Sequence, residues 1–134
     1  MIYSIEPLRV EGAEILHVRL SGPAHAETLL ALMAELEGRA ALRILVDETE
    51  LGVGFVSPAD IRRLADRWRK ARALQSASIA VVAPNLAVYG LNRMFQGLAG
   101  ATDRLAVFTD RTQALTWLRR EDANRAGGLG LPSA

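Results

Sequence analysis

Residues 44–68, ILVDETELGVGFVSPADIRRLADRW, decide how this chain folds. The stretch runs from an apolar strand through an acidic turn and a glycine-containing loop into a helix that begins at Ser57. A short buried strand followed at once by a helix is the unit from which helix-covered parallel sheets are built. The same stretch raises the question of whether Ser57 performs chemistry, accepts a phosphate or only caps its helix.

Strand patterns on both sides of this stretch predict a mixed sheet. Residues 2–9 and 14–20 alternate as strands, and Gly12 between them suits a tight antiparallel hairpin. Pro7 cannot donate to a sheet ladder, so the first strand is predicted at an edge. The other predicted strands are apolar on both faces, as in parallel strands buried between helices, and span 42–46, 78–83 and 104–108.

Apolar residues at helical spacing predict four helices, over 24–37, 58–75, 85–99 and 111–120. The element order predicts an α/β fold with four to five strands, of which the amino-terminal hairpin is antiparallel and the remainder mostly parallel. Residues 121–134 lose periodicity and gain Gly and Pro. We therefore predict one domain over 1–120, followed by a disordered tail over 121–134.

Residues at the predicted helix ends have structural explanations. Ser57 with Pro58 and Asp60 makes a strong helix start, Asn85 caps the next helix, and Asp110 with Gln113 predicts a capping box. Pro23 suits the opening turn of the first helix, and Gly38 is predicted to end that helix.

Composition excludes several function classes. The chain has 134 residues, half of them hydrophobic, and a net charge of +1, which gives no argument for a nucleic-acid partner. The absence of cysteine excludes disulfides, thiolate metal sites and cysteine nucleophiles. The sequence shows neither a signal peptide nor an apolar run of the roughly 20 residues that span a bilayer. We therefore expect a cytoplasmic protein.

Two arrangements of polar residues near this stretch suggest chemistry. A nucleophilic Ser57 would need a base, but His17 and His25 lie in other elements and no Gly-x-Ser-x-Gly motif surrounds the serine. Asp47 with Glu48 and Glu50 could hold a hard cation, which leaves a cation-dependent enzyme as an alternative. Their spacing is not that of a calcium loop, so we predict no metal site and no cofactor.

Two predicted helices carry unusual surfaces. Helix 58–75 buries one apolar face, and its other face is basic with Asp66 as the sole acid. The basic face suits contact with an anionic membrane or an acidic partner, and it equally suits simple exposure to solvent. The basic residues are Arg62, Arg63, Arg67, Arg69 and Lys70. Helix 85–99 has an apolar arc wider than packing on one sheet requires, so part of it is expected to line a pocket or a homodimer contact.

Residues 82–100, VAPNLAVYGLNRMFQGLAG, and 104–118, RLAVFTDRTQALTWL, resemble the SpoIIAA-like family of STAS and SEC14-type domains. The resemblance covers nearly the whole chain to about residue 120. It implies a STAS-like sheet with helices mainly on one side and a non-catalytic role. The SEC14 relationship implies an apolar or lipid-like ligand and transient membrane contact.

The anti-sigma-factor-antagonist branch of this family carries a serine that a partner kinase phosphorylates, at the start of the helix after the third strand. Ser57 occupies that place in the chain order. The branch's Asp-Ser-Ser-Gly motif is replaced here by Val56-Ser57-Pro58-Ala59-Asp60.

We therefore expect a non-catalytic STAS-like module that binds a protein partner or an apolar ligand. The residues predicted to contact a ligand are Asp47, Phe55, Tyr89, Met94 and Phe95. The basic residues of helix 58–75 are predicted to face a membrane or a partner. The alternative is a protein-interaction module that phosphorylation switches at Ser57.

Overall fold

The sheet has five strands in the order β1-β2-β3-β4-β5. The computed structural model describes residues 1–54, 56–101 and 103–130, with side chains up to Glu121. Strands β1 and β2 pair antiparallel, and the pairs β2–β3, β3–β4 and β4–β5 are parallel, which confirms the predicted mixed sheet. The strands are β1 (Ile2–Val10), β2 (Ala13–Pro23), β3 (Arg43–Gly52), β4 (Ser78–Val82) and β5 (Leu105–Phe108).

The helices are α1 (Ala26–Arg39), α2 (Pro58–Arg69), α3 (Arg72–Ser76), α4 (Leu86–Ala99) and α5 (Arg111–Gly130). The single helix predicted over 58–75 is divided into α2 and α3. At the break, the carbonyl of Trp68 accepts hydrogen bonds from the Ala71 backbone N–H at 2.9 Å and from the side chain of Gln75 in the next helix at 2.7 Å. Ala71 between them is fully buried.

Helices cover both faces of the sheet, although unequally. Side chains of α1, α2, α3 and α4 form one core with one sheet face, whereas Ala114 and Leu118 of α5 form a smaller core with the other face. The smaller core also contains Ile15, Leu45, Ala80 and Val82. The alternation of side chains along each strand therefore supplies two separate cores.

The predicted hairpin and edge strand are confirmed. Glu11 and Gly12 connect β1 to β2 with φ values of 49° and 83°, the left-handed conformations that a two-residue hairpin turn needs. Strand β1, which contains Pro7, lies at the edge of the sheet. The predicted end of the first helix is wrong, because α1 continues past Gly38 to Arg39 and is capped by Ala40, which has a φ of 51°.

Strand β3 is longer than predicted. The residues predicted as an acidic turn, 47–50, belong to the strand, which ends at Gly52. The pairing with β2 is irregular there, since Arg19 faces Asp47 whereas Ser21 faces Glu50. Because successive side chains of a strand point to opposite faces, Asp47 and Glu48 lie on opposite faces of the sheet.

Helix α5 ends later than the predicted residue 120, since its backbone runs to Gly130. Side chains beyond Glu121 and all of 131–134 lie outside the described residues, so the disordered tail predicted over 121–134 stays a prediction. The boundary of the domain at residue 120 also stays a prediction.

Candidate functional site

An apolar cavity of about 140 Å³ lies between the larger core's sheet face and the helices α1, α2 and α4. Its wall includes Trp68 of α2 and Phe95 of α4, whose rings meet edge to face with centroids 5.7 Å apart. Most of the other lining side chains are aliphatic, and they include Leu20, Leu29, Leu32, Met33, Ile44, Val46, Leu64, Val81, Val88 and Leu91. Such a lining favours a molecule with an apolar body.

Two polar residues also line this cavity. Glu48 follows Ile44 and Val46 at two-residue spacing on the same face of β3, so its carboxyl group is directed into the larger core. Asn92 on α4 donates one hydrogen bond to Glu48 Oε1 at 2.6 Å and another to the Val88 carbonyl at 2.9 Å. Among the described residues, no donor contacts Glu48 Oε2. One oxygen of a buried carboxyl group is therefore left available to a molecule in the cavity.

The surroundings of Glu48 favour its protonated form. The residue is only 7% exposed, and burial raises the pKa of its carboxyl group to about 7 although the Asn92 hydrogen bond opposes the rise. Loss of hydration disfavours the charged form of any buried acid. At neutral pH this carboxyl group therefore divides between a hydrogen-bond donor and a carboxylate.

A second polar group lies on the opposite face of the sheet. His17 Nε2 is 3.8 Å from Asp47 Oδ2, and this nitrogen is buried without a hydrogen-bond partner among the described residues. Burial, with the positive charge of Arg111, lowers the pKa of His17. Burial also pushes the pKa of Asp47 upward, but hydrogen bonds from Thr49 outweigh it and the pKa is lowered overall. A neutral histidine beside a carboxylate results.

The three acidic residues of 47–50 do not form one cluster. Glu48 lines the apolar cavity, whereas Asp47 and the exposed Glu50 border a different pocket. No group of three histidine or acidic side chains suited to a metal ion occurs among the residues with described side chains. The geometry therefore gives no support to the cation-dependent enzyme considered above.

The residues predicted to contact a ligand lie in different places. Phe95 lines the cavity, and Tyr89 packs against the larger core without lining the cavity. Met94 is 42% exposed, and Asp47 belongs to the opposite face of the sheet. Phe55 lies outside the described residues. The prediction missed Glu48, Asn92 and Trp68, although the two-residue spacing of Glu48 from Val46 was a usable signal.

Ser57 lies at the exposed start of α2. Its hydroxyl accepts a hydrogen bond from the Asp60 backbone at 3.1 Å, and its own backbone N–H donates to the Asp60 carboxylate at 3.0 Å. These reciprocal bonds make a capping box with Pro58 at the first helical position, as the sequence predicts. Asn85 caps α4 through the Val88 backbone at 3.0 Å, which is also as predicted.

Asp110 accepts a hydrogen bond from the Thr112 backbone N–H at 3.0 Å, so it does cap α5. The described hydrogen bonds do not include the return bond that was predicted from the side chain of Gln113.

The loop before Ser57 is held against the end of β2. The Ala24 backbone N–H donates to the Gly52 carbonyl at 3.0 Å, and Gly54 has a φ of 61°. A Cβ at Gly54 would lie 2.4 Å from the Ala24 carbonyl oxygen, so only glycine fits there. A close backbone approach therefore requires at least one of the two glycines in this loop.

Most of the basic face of α2 has acidic partners. Arg63 pairs with Glu27 at 2.7 Å, Arg67 pairs with Glu37 at 3.1 Å, and Arg69 pairs with Asp66 at 2.5 Å. Two of these acids belong to α1, so the view of a basic face opposed by Asp66 alone is wrong. No ion pair involves Arg62 or Lys70 among the described side chains. Whether this face meets a membrane or a partner stays a prediction.

Within the described part of the chain, no helix combines the length and the apolar character that crossing a bilayer requires. The expected cytoplasmic location stays a prediction.

Several solved structures share this fold at low sequence identity. One is an uncharacterised protein of the DUF3478 family with a SpoIIAA-like fold from Shewanella loihica, 20% identical with a TM-score of 0.58, in a match covering 87% of this chain and 93% of that chain. An anti-sigma factor antagonist from Mycobacterium paratuberculosis is 17% identical with a TM-score of 0.53, and the match covers 88% of this chain and 95% of that one.

A third structure is the RsbS protein of Moorella thermoacetica in a serine-to-glutamate variant. It is 16% identical with a TM-score of 0.56, and the match covers 89% of this chain and 97% of that one. No family model and no curated protein matches the sequence. At these identities the likeness establishes the fold, and the chain has the predicted SpoIIAA-like fold.

Proposed function

We propose that this chain is a non-catalytic protein-interaction module that phosphorylation regulates at Ser57, in the manner of an anti-sigma factor antagonist. The observation that carries the proposal is the exposed Ser57 hydroxyl at the start of the helix after β3. Support also comes from the fold, since one of the similar structures is an anti-sigma factor antagonist.

The contacts of Ser57 suit a surface whose binding to a partner changes when Ser57 gains a phosphate. Its hydroxyl oxygen accepts one hydrogen bond, and the neighbouring Pro58 and Ala59 are exposed, so a partner protein has access to the start of α2. A phosphate adds roughly −1.5 to −2 charge at neutral pH. The helix N-terminus favours that charge, whereas the Asp60 carboxylate in the same capping box repels it. Phosphorylation would therefore alter both the charge and the geometry of this surface.

Photo-cross-linking in the cells that make the protein tests the proposal. A photoreactive amino acid replaces Ala59 at the start of α2 or, as the control, Gln113 on the opposite face of the sheet. We expect one discrete protein adduct from position 59 that is absent from position 113. The adduct should persist in Ser57→Ala and be strongly reduced in Ser57→Asp, because only the latter adds negative charge.

Equal adducts in the two Ser57 variants would overturn the regulatory part of the proposal, and no adduct at position 59 would overturn the surface itself. Mass spectrometry of the isolated protein provides an independent check, since the peptide that contains Ser57 should carry a phosphate in a fraction of the molecules.

A second candidate function is binding of an apolar molecule, which the cavity beside Phe95 favours. Pockets that enclose drug-sized ligands measure roughly 300–1,000 Å³, and this cavity is smaller than that. The cavity volume therefore favours a molecule of one ring over a lipid chain, and the ion pairs of Arg63, Arg67 and Arg69 weaken the case for membrane contact.

A further inference from the structure

The cavity has the volume of a single aromatic ring. At about 140 Å³ it is close to the cavities of about 150 Å³, lined by Leu, Ile and Phe, that accept benzene in other proteins. Here the wall carries the same residue types together with the indole of Trp68. A ring in this space would contact mainly apolar side chains.

One polar group interrupts this lining and restricts the chemistry of an occupant. Glu48 is more than nine-tenths buried, its Oε1 is bound by Asn92, and its Oε2 has no donor among the described residues. A hydrogen bond between a ligand and this oxygen would form in surroundings of low polarity, where such a bond is stronger than in water. An apolar hydrocarbon cannot supply it, whereas a ring with one hydroxyl group can.

We propose that the cavity between β3, α2 and α4 is a binding site for a small neutral aromatic alcohol of the phenol type, with the ring on Trp68 and Phe95 and the hydroxyl on Glu48 Oε2. A hydroxyl group suits this position in either state of the acid. It donates to the carboxylate, and it accepts from the protonated carboxyl group. A carboxylate ligand would instead bring a negative charge into a site of low polarity whose described lining residues include no cationic side chain, so it is excluded.

The site is independent of the partner surface proposed above. The cavity is lined by one sheet face, the helices that cover it and loop residues that include Val56, whereas the Ser57 hydroxyl is exposed at the start of α2 and does not line the cavity. Binding in the cavity and exchange of partners at Ser57 can therefore be measured separately, and failure of one leaves the other unaffected.

Methyl NMR titrations with phenol, benzene and benzoate at pH 6 test this site. We expect phenol to shift the methyl signals of Val88 and Leu91, which line the cavity, and to leave distant methyl groups unchanged. Benzene should bind the same site, and benzoate should not. The site is overturned if phenol shifts no cavity methyl group, or if it shifts methyl groups throughout the protein alike.

Variants of Glu48 test the role assigned to its free oxygen. Glu48→Leu should raise the Kd for phenol about tenfold and leave that for benzene unchanged or lower, because the buried hydroxyl then lacks a partner. Glu48→Gln retains a hydrogen-bonding group and should keep the affinity for phenol. Glu50→Gln, which changes an exposed acid of the same strand, is the matched control and should bind as the wild type does.

A cavity-filling change tests the location. Val46→Phe places a ring in the cavity from β3 and should abolish binding of both phenol and benzene. If that variant does not fold, the Glu48 variants and the wild-type titration still decide whether phenol binds in the cavity. Equal losses of phenol and benzene affinity in Glu48→Leu would overturn the hydroxyl–carboxyl contact.

Discussion

Glu48 makes the stability of this protein depend on pH. Its pKa rises from the ordinary 4.5 to about 7 in the folded state, chiefly through burial. Between those values the folded chain holds a proton that the unfolded chain has released, so the free energy of unfolding falls as the pH rises through this window. Above about pH 7 the charged carboxylate is buried and the full cost is present.

Replacement of this acid by its neutral amide should remove that cost. We expect Glu48→Gln to exceed the wild type in free energy of unfolding by about 3 kcal/mol at pH 8, since one pKa unit corresponds to about 1.4 kcal/mol. The difference should vanish near pH 4, where both side chains are neutral. Urea unfolding at a series of pH values measures it, and a difference that does not change with pH would contradict the burial argument.

Gly54 is a second residue at which a substitution should change stability, because one added Cβ atom would not fit. Its φ is positive, and a Cβ at this position would lie 2.4 Å from the Ala24 carbonyl oxygen. We therefore expect Gly54→Ala to lower the free energy of unfolding by about 2 kcal/mol or more. Gly52→Ala is the matched control, because its Cβ would meet no atom closer than 3.8 Å. Chemical denaturation compares them, and equal effects of the two changes would refute the close approach.

At the scale of elements, α4 divides its apolar arc between two uses. Val88, Leu91 and Phe95 line the cavity, whereas Leu86, Met94 and Leu98 are 83%, 42% and 37% exposed. The predicted arc was wider than packing on the sheet needs, and the excess lies at the surface. An exposed row at four-residue spacing is the part of α4 through which a homodimer was predicted.

That homodimer is testable at α4. Met94→Lys places a charge in the exposed row and should convert a dimer to a monomer, because burial of an unpaired charge is costly. Sedimentation equilibrium measures the mass, and Gln113→Lys on α5 provides a control charge on the opposite face of the sheet. A wild-type protein that remains monomeric at every concentration would contradict the predicted homodimer.

The ion pairs on the basic face of α2 could not be predicted from the charge pattern of that helix alone. The charge pattern of 58–75 compares residues within one helix and predicts Asp66 as the sole acid of this face, whereas Asp60 of the same helix also pairs with Arg63. The partners of Arg63 and Arg67 are Glu27 and Glu37 on α1, which are about 30 to 36 residues earlier in the chain. A periodicity argument compares neighbours on one helix and contains no information on which helix packs beside it.

At the scale of the whole molecule, α5 closes the second face of the sheet. Leu118 is fully buried against that face, and it is the last buried residue among the described side chains. We expect a chain ended after Arg120 to unfold cooperatively at nearly the wild-type temperature, because it keeps the described apolar contacts of α5. A chain ended after Asp110 should not fold, since Ile15, Leu45 and Ala80 would lose their cover.

Circular dichroism during heating distinguishes these outcomes. Leu118→Ala in the full chain is the matched test of the same contact and should lower the free energy of unfolding by about 2–5 kcal/mol. A large loss of stability in the chain ended after Arg120 would contradict the predicted domain boundary.

Local patterns in the sequence determined the strands, most helix caps and the mixed sheet with its hairpin at the edge. These features depend on alternation, helical spacing and residues such as Ser57 and Gly12, which act on neighbours in the chain. Tertiary structure alone decided that β3 continues to Gly52, that Glu48 is buried, and that Asn92 meets Glu48. The physical reason is that burial and pairing of a charged side chain depend on elements distant in sequence, and residue type alone predicts exposure for an acid.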